Sequence, residues 1–145
     1  MMNTNTRRAK RQILIVDADP LVRRGMIDIL RHTGDLSVTA AVADGATAIA
    51  ALADDSPDLV ITELALEHSA DGLELVQHIR TRYPGLPVIV LSGHQSVEHA
   101  SAALEAGASA FIDKREAIDR VLITIQRVLQ QGAHLTCRPD DRSVH

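Results

Sequence analysis

The chain alternates five times between a short apolar run and a longer segment whose apolar residues recur at helical spacing. The apolar runs cover residues 13–16, 36–42, 59–62, 88–91 and 110–112. A short continuous apolar run indicates a strand that is buried on both faces, which is typical of parallel sheets. Strict alternation of strand and helix therefore predicts an α/β fold, with parallel strands between two layers of helices. We expect a doubly wound (βα)5 sandwich and not a closed barrel, because the chain has only 145 residues.

Five helices are predicted to follow these strands. They span residues 20–34, 46–53, 72–82, 96–106 and 116–130. Pro20 suits the first turn of the first helix, and Gly107 suits the position just after the fourth. Apolar residues at helical spacing are expected to face the core, including Ile49 and Leu52 in the second helix and Ile118 in the last.

Composition and charge limit the functions that the chain can have. The net charge of −4 argues against nucleic-acid binding by the domain as a whole. We expect a basic, disordered arm over residues 1–11, one domain over 12–131 and a polar tail over 132–145. The single cysteine, Cys137, excludes a disulfide framework, and no apolar run is long enough to cross a membrane. We therefore expect a cytoplasmic location.

Polar residues follow four of the predicted strands. Asp17 and Asp19 follow the first strand, Glu63 the third, Ser92 the fourth and Lys114 the fifth. In a doubly wound sheet, the functional site lies at the carboxyl ends of the strands. Grouped acids suit a hard cation such as Mg²⁺, whereas a lysine and a hydroxyl suit the oxygens of a phosphoryl group. An acid after a strand is often only a helix cap, but four strand ends in this order are harder to explain as caps alone.

The sequence around these residues resembles the response-regulator receiver domains of the CheY-like family. The first-strand motif is ILIVDADP at residues 13–20, and the third-strand motif is PDLVITEL at 57–64. The fourth reads VIVLSG at 88–93, and the fifth reads AGASAFIDK at 106–114. Asp71-Gly72 opens the third helix as in the family. The resemblance covers nearly the whole predicted domain, and it implies a flavodoxin-like fold with sheet order 2-1-3-4-5.

Two departures from the family pattern concern phosphorylation and Mg²⁺ binding at the site. Glu63 stands at the position of the phospho-accepting aspartate, and Ala18 stands where the family has an acid that ligates Mg²⁺ directly. Asp17 and Asp19 remain as an acidic pocket. The Mg²⁺ ligands that the resemblance leaves are Asp17, Glu63 and the carbonyl of Ala65. We therefore expect impaired phosphorylation and weak or absent Mg²⁺ binding.

The residues that respond to the phosphoryl group in the family are retained. Ser92 and Phe111 correspond to the switch residues, and Lys114 corresponds to the lysine that contacts the phosphate. Arg115 follows Lys114 where many relatives have proline, so a trans peptide bond is expected there. We also hypothesise that the longer carboxylate at position 63 extends toward Lys114 and Ser92 and imitates the phosphorylated state.

The predicted function is that of an atypical receiver domain of a two-component system, a non-enzymatic module that acts through protein–protein contact. Its partners would be a sensor kinase or an output protein, bound through residues 96–130, and the apolar last helix also permits a homodimer. His68 and His94 flank the site and are expected to be solvated loop residues.

Two alternatives stay open. The first is a phospho-competent receiver that accepts phosphate from a histidine kinase on Glu63, Asp17 or Asp19, as the N-terminal part of a helix-turn-helix transcriptional regulator. The second is an enzyme or a ligand-binding domain on the same scaffold. Against the second, the sequence contains no glycine-rich phosphate loop, nucleophile elbow or metal-ligand pair.

Overall fold

The chain folds as five strand–helix units in strict alternation. The strands are β1 (Arg11–Val16), β2 (Leu36–Val42), β3 (Leu59–Thr62), β4 (Val88–Ser92) and β5 (Ala110–Asp113). The helices are α1 (Pro20–Arg31), α2 (Gly45–Asp54), α3 (Gly72–Arg82), α4 (Val97–Ala106) and α5 (Ile118–Leu135). The computed structural model describes residues 9–66, 72–93 and 97–135. Among these residues, every helix is too short or too polar to span a membrane.

The five strands form one parallel sheet in the order β2-β1-β3-β4-β5, which confirms the predicted fold class and strand order. Strands β1, β3 and β4 lie at its centre, and residues 13–16, 59–62 and 88–92 are all buried. A strand can be apolar at nearly every position only where helices cover both faces of the sheet. Val16 pairs with Thr62, and Thr62 pairs with Val90. The central strands therefore end at nearly the same level.

Two apolar layers cover the faces of the sheet. On one face, α1 and α5 pack against the strands through Met26, Leu30, Ile125, Val128 and Leu129. On the other face, α2, α3 and α4 pack through Ala48, Leu52, Leu75, Val76, Ile79 and Ala103. Both layers also receive side chains from the central strands, because successive residues of a strand point to opposite faces.

Local sequence signals set the ends of several helices. Pro20 takes the first position of α1, where a missing N–H breaks no helical hydrogen bond. Asp19 caps the same helix, because its carboxylate accepts a hydrogen bond from the N–H of Leu21 at 2.9 Å. Gly107 follows α4 with a φ of 117°, and Gly34 lies beyond the end of α1 with a φ of 84°. Both angles lie in the left-handed region that favours glycine.

The orientation of two isoleucines differs from the prediction. Ile49 in α2 is 36% exposed, because Ala48 and Leu52 occupy the face that turns toward the sheet. Ile118 is 48% exposed, since it lies in the first turn of α5, where residues 117–120 are all exposed. The buried stripe of α2 is therefore narrower than predicted, and that of α5 begins only after the first turn.

The ends of two elements also differ from the prediction. Helix α5 continues to Leu135 and does not end at Gln130. A single glycine such as Gly132 costs a helix interior only about 1 kcal/mol, so it need not end the helix. Strand β1 begins at Arg11, within the predicted N-terminal arm. Residues 1–8 of that arm and residues 136–145 of the predicted tail, with Cys137, lie outside the described residues.

Candidate functional site

Parallel pairing brings the polar ends of four strands to one edge of the sheet. Asp17 follows β1, Glu63 follows β3, Ser92 ends β4 and Lys114 follows β5. Asp17, Glu63 and Ser92 are buried, with exposed fractions of 4%, 5% and 0%. Burial of a polar side chain is unfavourable unless the group is hydrogen-bonded or paired with an opposite charge. The partners of each side chain therefore define the site.

The ammonium group of Lys114 lies between the two carboxylates. Its Nζ atom is 2.9 Å from Oδ2 of Asp17 and 2.7 Å from Oε1 of Glu63. The N–H of Lys114 also donates to the carbonyl oxygen of Ser92 at 2.9 Å, which fixes the backbone of the lysine against the end of β4. One cation thus pairs with acids from two different strands.

The other oxygen of each carboxylate accepts hydrogen bonds from backbone N–H groups. Oε2 of Glu63 accepts from Leu64 at 2.7 Å and from Ala65 at 3.2 Å. Oδ1 of Asp17 accepts from the N–H of Asp19 at 2.9 Å. Every carboxylate oxygen of the two acids therefore has at least one donor.

These contacts shift the pKa values of both members of the Glu63–Lys114 pair. Burial raises the pKa of Glu63, but hydrogen bonds from Lys114, Ala65 and Ser92 and the charge of Lys114 outweigh it and lower the pKa below the ordinary 4.5. Burial lowers the pKa of Lys114, but its hydrogen bonds to Glu63 and Asp17 and their charges raise it above the ordinary 10.5. Both groups are therefore charged at neutral pH.

Gly72 holds the backbone that follows β3 in place. Its N–H donates to the carbonyl oxygen of Leu64 at 2.7 Å. A Cβ atom at this position would lie 2.1 Å from the carbonyl oxygen of Glu63 and 2.8 Å from Cα of Leu64. Only glycine permits this approach of α3 to the site. The motif around Gly72 indicates the start of a helix, but the contact depends on tertiary packing that no local pattern reveals.

The structure does not bring the Asp19 side chain into the cluster, so the predicted acidic pocket contains Asp17 without Asp19. The Asp19 carboxylate is exposed and caps α1, because a short acid before a helix reaches the N–H two residues later. Arg23, which the sequence analysis did not single out, lies beside the site instead. Its Nη1 atom donates to the carbonyl oxygen of Asp17 at 2.6 Å.

The two predicted switch residues lie in different surroundings. Ser92 is fully buried beside Glu63, and its hydrogen bond is one of those that lower the pKa of Glu63. Phe111 in β5 is half-buried and packs against the apolar layer beneath α2, α3 and α4. Phe111 therefore belongs to the packing beside the site, not to the charged cluster.

The carboxylates at this edge that could contact Mg²⁺ are those of Asp17 and Glu63. The ion requires a nearly octahedral shell of oxygen ligands. Ala18 offers no side-chain oxygen, and the carboxylate oxygens of Asp17 and Glu63 already bind the donors described above. Within residues 9–66, 72–93 and 97–135, no three or more His, Cys, Asp and Glu side chains are grouped to hold a metal ion. His68 and His94 lie outside the described residues.

Comparison with known proteins agrees with the strand order and the strand-end motifs. The profile of the family described as "Response regulator receiver domain" matches residues 13–126. The chain is 39% identical over 119 residues to the nitrogen assimilation regulatory protein NtrX of Azorhizobium caulinodans, covering 81% of this chain and 26% of that protein. It is 33% identical over 119 residues to the probable transcriptional regulatory protein TcrX of Mycobacterium tuberculosis, covering 82% of this chain and 50% of that protein. The chain thus spans half or less of these two relatives.

Solved structures show the same likeness. A CheY-like response regulator receiver domain protein from Methanospirillum hungatei is similar with a TM-score of 0.80 and 27% identity, covering 87% of this chain and 98% of that one. NtrX from Brucella abortus, in complex with ADP, has a TM-score of 0.79 and 33% identity, covering 86% of this chain and 28% of that one. The profile match and these identities, on a sheet of the same strand order, mean that the chain belongs to the response-regulator receiver domain family.

Proposed function

We propose that this receiver domain is impaired in phosphorylation and acts through protein–protein contact, without an enzymatic activity of its own. Receiver domains of response regulators interact with histidine kinases and with output domains, and they typically bind Mg²⁺ for phosphorylation. Glu63 follows β3 where the family resemblance places the phospho-accepting aspartate, and Ala18 replaces a metal-ligating acid. We also propose a cytoplasmic location and a domain over residues 12–131, whose last helix continues to Leu135.

The observation that carries the proposal is the pairing of Lys114 with both acids. A phosphoryl group on residue 63 would need this ammonium for itself, but the ammonium already lies 2.7 Å from Glu63 and 2.9 Å from Asp17. Glutamate also extends the carboxylate by one methylene, about 1.5 Å. A displacement of about 1 Å can lower the rate of a reaction that depends on positioning on the order of 100-fold.

Weakened Mg²⁺ binding belongs to the same proposal. Asp17, Glu63 and the carbonyl of Ala65 are the ligands that remain. Each carboxylate would have to exchange a hydrogen bond or an ion pair for the metal ion. Two charged ligands instead of three also attract the ion less strongly.

The proposed output surface is the face formed by α4, β5 and α5, over residues 96–130. Its exposed apolar side chains are Val97, Leu104, Ile118 and Ile123. Exposed apolar side chains on α4 and α5 support a protein contact more than a nucleic-acid contact. Ser92, Phe111 and Lys114 are retained, so a carboxylate held at position 63 could imitate the phosphorylated state and keep this face in its binding form. Candidate partners are a sensor kinase, an output protein or a second copy of the chain.

The alternative is a phospho-competent receiver that takes phosphate from a histidine kinase. The lowered pKa of Glu63 favours it, because an ionised acid beside Lys114 and Ser92 is the form that attacks a phosphodonor. The lengths of the two regulators compared above make it reasonable to propose that such a receiver is the N-terminal part of a transcriptional regulator.

Intact mass after incubation with acetyl phosphate and Mg²⁺ separates the two proposals. The matched control is the double variant Ala18→Asp/Glu63→Asp, which restores the family pattern. We expect the control to gain the mass of one phosphoryl group and the unaltered chain to gain none. A phosphoryl group on the unaltered chain would establish the alternative, and mapping it to Glu63, Asp17 or Asp19 would identify the acceptor.

The proposed imitation of the phosphorylated state needs a separate test. Glu63→Gln removes the charge and keeps the length, and Glu63→Asp keeps the charge and shortens the side chain. If Glu63 holds the output face in its binding form, both variants weaken self-association or partner binding. Unchanged binding in both variants would reject the imitation.

A further inference from the structure

Arg80 is a half-buried cation on α3, away from the strand-end site, and its partners among the described residues are backbone carbonyls. Its Nε and Nη2 atoms donate to the carbonyl oxygen of Gly107 at 3.1 Å and 2.8 Å. Its Nη1 atom donates to the carbonyl oxygens of Pro84 and Leu86 at 2.8 Å and 3.0 Å. None of the ion pairs among the described residues includes Arg80. The charge therefore serves to bind carbonyl dipoles, not an acid.

The three carbonyls belong to two separate connections. Pro84 and Leu86 lie between α3 and β4, whereas Gly107 ends α4. The planar guanidinium fork can bind all three at once, because it directs several N–H groups in fixed directions. A lysine ammonium at the same place is a point charge and cannot reproduce this geometry. Arg80 therefore ties the end of α4 to the loop that precedes β4.

Gly107 is adapted to this contact. Its φ of 117° lies in the left-handed region, and a Cβ atom there would lie 2.9 Å from both Cγ and Nε of Arg80. The turn is closed further by hydrogen bonds from Gly107 to Leu104 and from Ala108 to Ala103, each of 3.0 Å. The arginine and the glycine thus form one unit, which we name the Arg80–Gly107 clamp.

Helix α4 packs beside α3 and β5 but buries few side chains. Ala103 is its only buried residue, and alanine buries little apolar surface. The helix begins a few residues after Ser92 and Gly93, which lie at the strand-end site. Its other end is held by the Arg80–Gly107 clamp.

We propose that Arg80 is a positioning residue that fixes the C-terminal end of α4, so that changes at Ser92 rotate the helix about the Arg80–Gly107 clamp. The inference rests on the proposed function only in treating α4 as part of the output face. The clamp would then determine which side chains of α4, such as Val97 and Leu104, a partner meets.

Amide hydrogen exchange of the full chain tests the clamp, with Arg80→Lys as the variant and Arg82→Lys as the matched control. Arg82 is an exposed arginine at the end of the same helix. In Arg80→Lys, we expect the amides of α4, Gly107 and Ala108 to exchange about tenfold faster, because charge-assisted hydrogen bonds are lost locally. Amides of β1 and β3, and all amides of the control, should keep their rates. Equal acceleration in strands and α4, or none in α4, would overturn the proposal.

Two further measurements do not depend on phosphorylation, and the first of them needs only the unaltered chain. In the unaltered chain, the Nε–H signal of Arg80 should exchange slowly with water and that of Arg82 rapidly; equal rates would overturn the clamp. Ser92→Ala should shift amide signals at the start of α4, with the effect fading toward Ala106. In an Arg80→Lys background the shifts should extend to Gly107. The same fading in both backgrounds would reject the pivot.

Discussion

At the scale of single residues, Lys114 is the charge on which the site depends. Its ammonium contacts two buried carboxylates, which would otherwise repel each other and lose their hydration without compensation. The ammonium of Lys114 therefore balances one of the two carboxylate charges, and one negative charge remains at the site.

Replacing Lys114 with methionine should expose this dependence. We expect the free energy of unfolding at neutral pH to fall by about 3 kcal/mol, because the change leaves buried acids without a cation. The pKa of Glu63 should rise as well. Urea denaturation and NMR titration of the Glu63 carboxyl measure the two effects. Arg115→Met, at the exposed next position, is the control and should change stability by less than about 0.5 kcal/mol. Equal losses in the two variants would contradict the role of Lys114.

The pKa shifts also fix how stability depends on pH. Folding lowers the pKa of Glu63, so its contribution is present above the unfolded value near 4.5 and is lost as the pH falls through the folded value. Folding raises the pKa of Lys114, so its contribution is present below 10.5 and is lost as the pH rises through the folded value. Urea midpoints measured from neutral to acidic pH should therefore decline less steeply in Glu63→Gln than in the unaltered chain. If the urea midpoints of the two proteins fell equally steeply with falling pH, the ionisation of Glu63 would not be linked to stability.

At the scale of elements, Gly72 limits how closely α3 can approach the end of β3. Contact with the carbonyl oxygen of Glu63 leaves no room for a side chain. Gly25 in α1 provides a matched comparison, because a Cβ atom there meets nothing within 4 Å. Gly72 is the first residue of α3, whereas Gly25 lies inside α1.

Alanine at the two positions should have opposite effects. Gly72→Ala should lower the free energy of unfolding by about 2 kcal/mol, because the backbone must shift to relieve the overlap. Gly25→Ala should raise it by about 0.5–1 kcal/mol, because alanine is the better helix former. Thermal melts of the two variants measure both changes. A stabilising Gly72→Ala would mean that α3 does not lie against Glu63 as described.

The elements also show where sequence patterns stop being informative. Helical spacing located all five helices, but it did not reveal that Ile49 of α2 and Ile118, in the first turn of α5, face water. Rotation depends on which small residues allow a helix to approach the sheet, as Ala48 does in α2. The sequence did not separate a capping role of Asp19 from a place in the acidic pocket, because an acid beside a helix start can bind the backbone as readily as a ligand.

At the scale of the whole molecule, the strand order and the meeting of Asp17, Glu63, Ser92 and Lys114 follow from the sequence. Buried strands, alternation with helices and the family motifs determine a parallel sheet, and a parallel sheet brings the ends of its strands together. The Arg80–Gly107 clamp does not follow in the same way. It joins residues of two connections that have no shared pattern, and only their packing reveals the contact.

The exposed apolar side chains of α4 and α5 give a prediction at this scale. Ile123 is 61% exposed on the proposed output face, and Leu21 is 79% exposed on α1, outside it. If two copies associate through the output face, sedimentation should show a concentration-dependent dimer that Ile123→Glu weakens and Leu21→Glu does not. Both variants should keep the melting temperature of the monomer. Weakening by Leu21→Glu instead would assign self-association to the α1 side.

We propose that Lys114 and backbone donors hold the acids at the strand ends and so disfavour the metal ion that phosphorylation requires. A Mg²⁺ titration followed through the amide signals of Leu64 and Ala65, which donate to Glu63, tests it most directly. We predict small, non-saturating shifts in the unaltered chain at millimolar Mg²⁺, and saturating shifts in Ala18→Asp/Glu63→Asp. Saturation of the unaltered chain at the same Mg²⁺ concentration as the double variant would contradict the account.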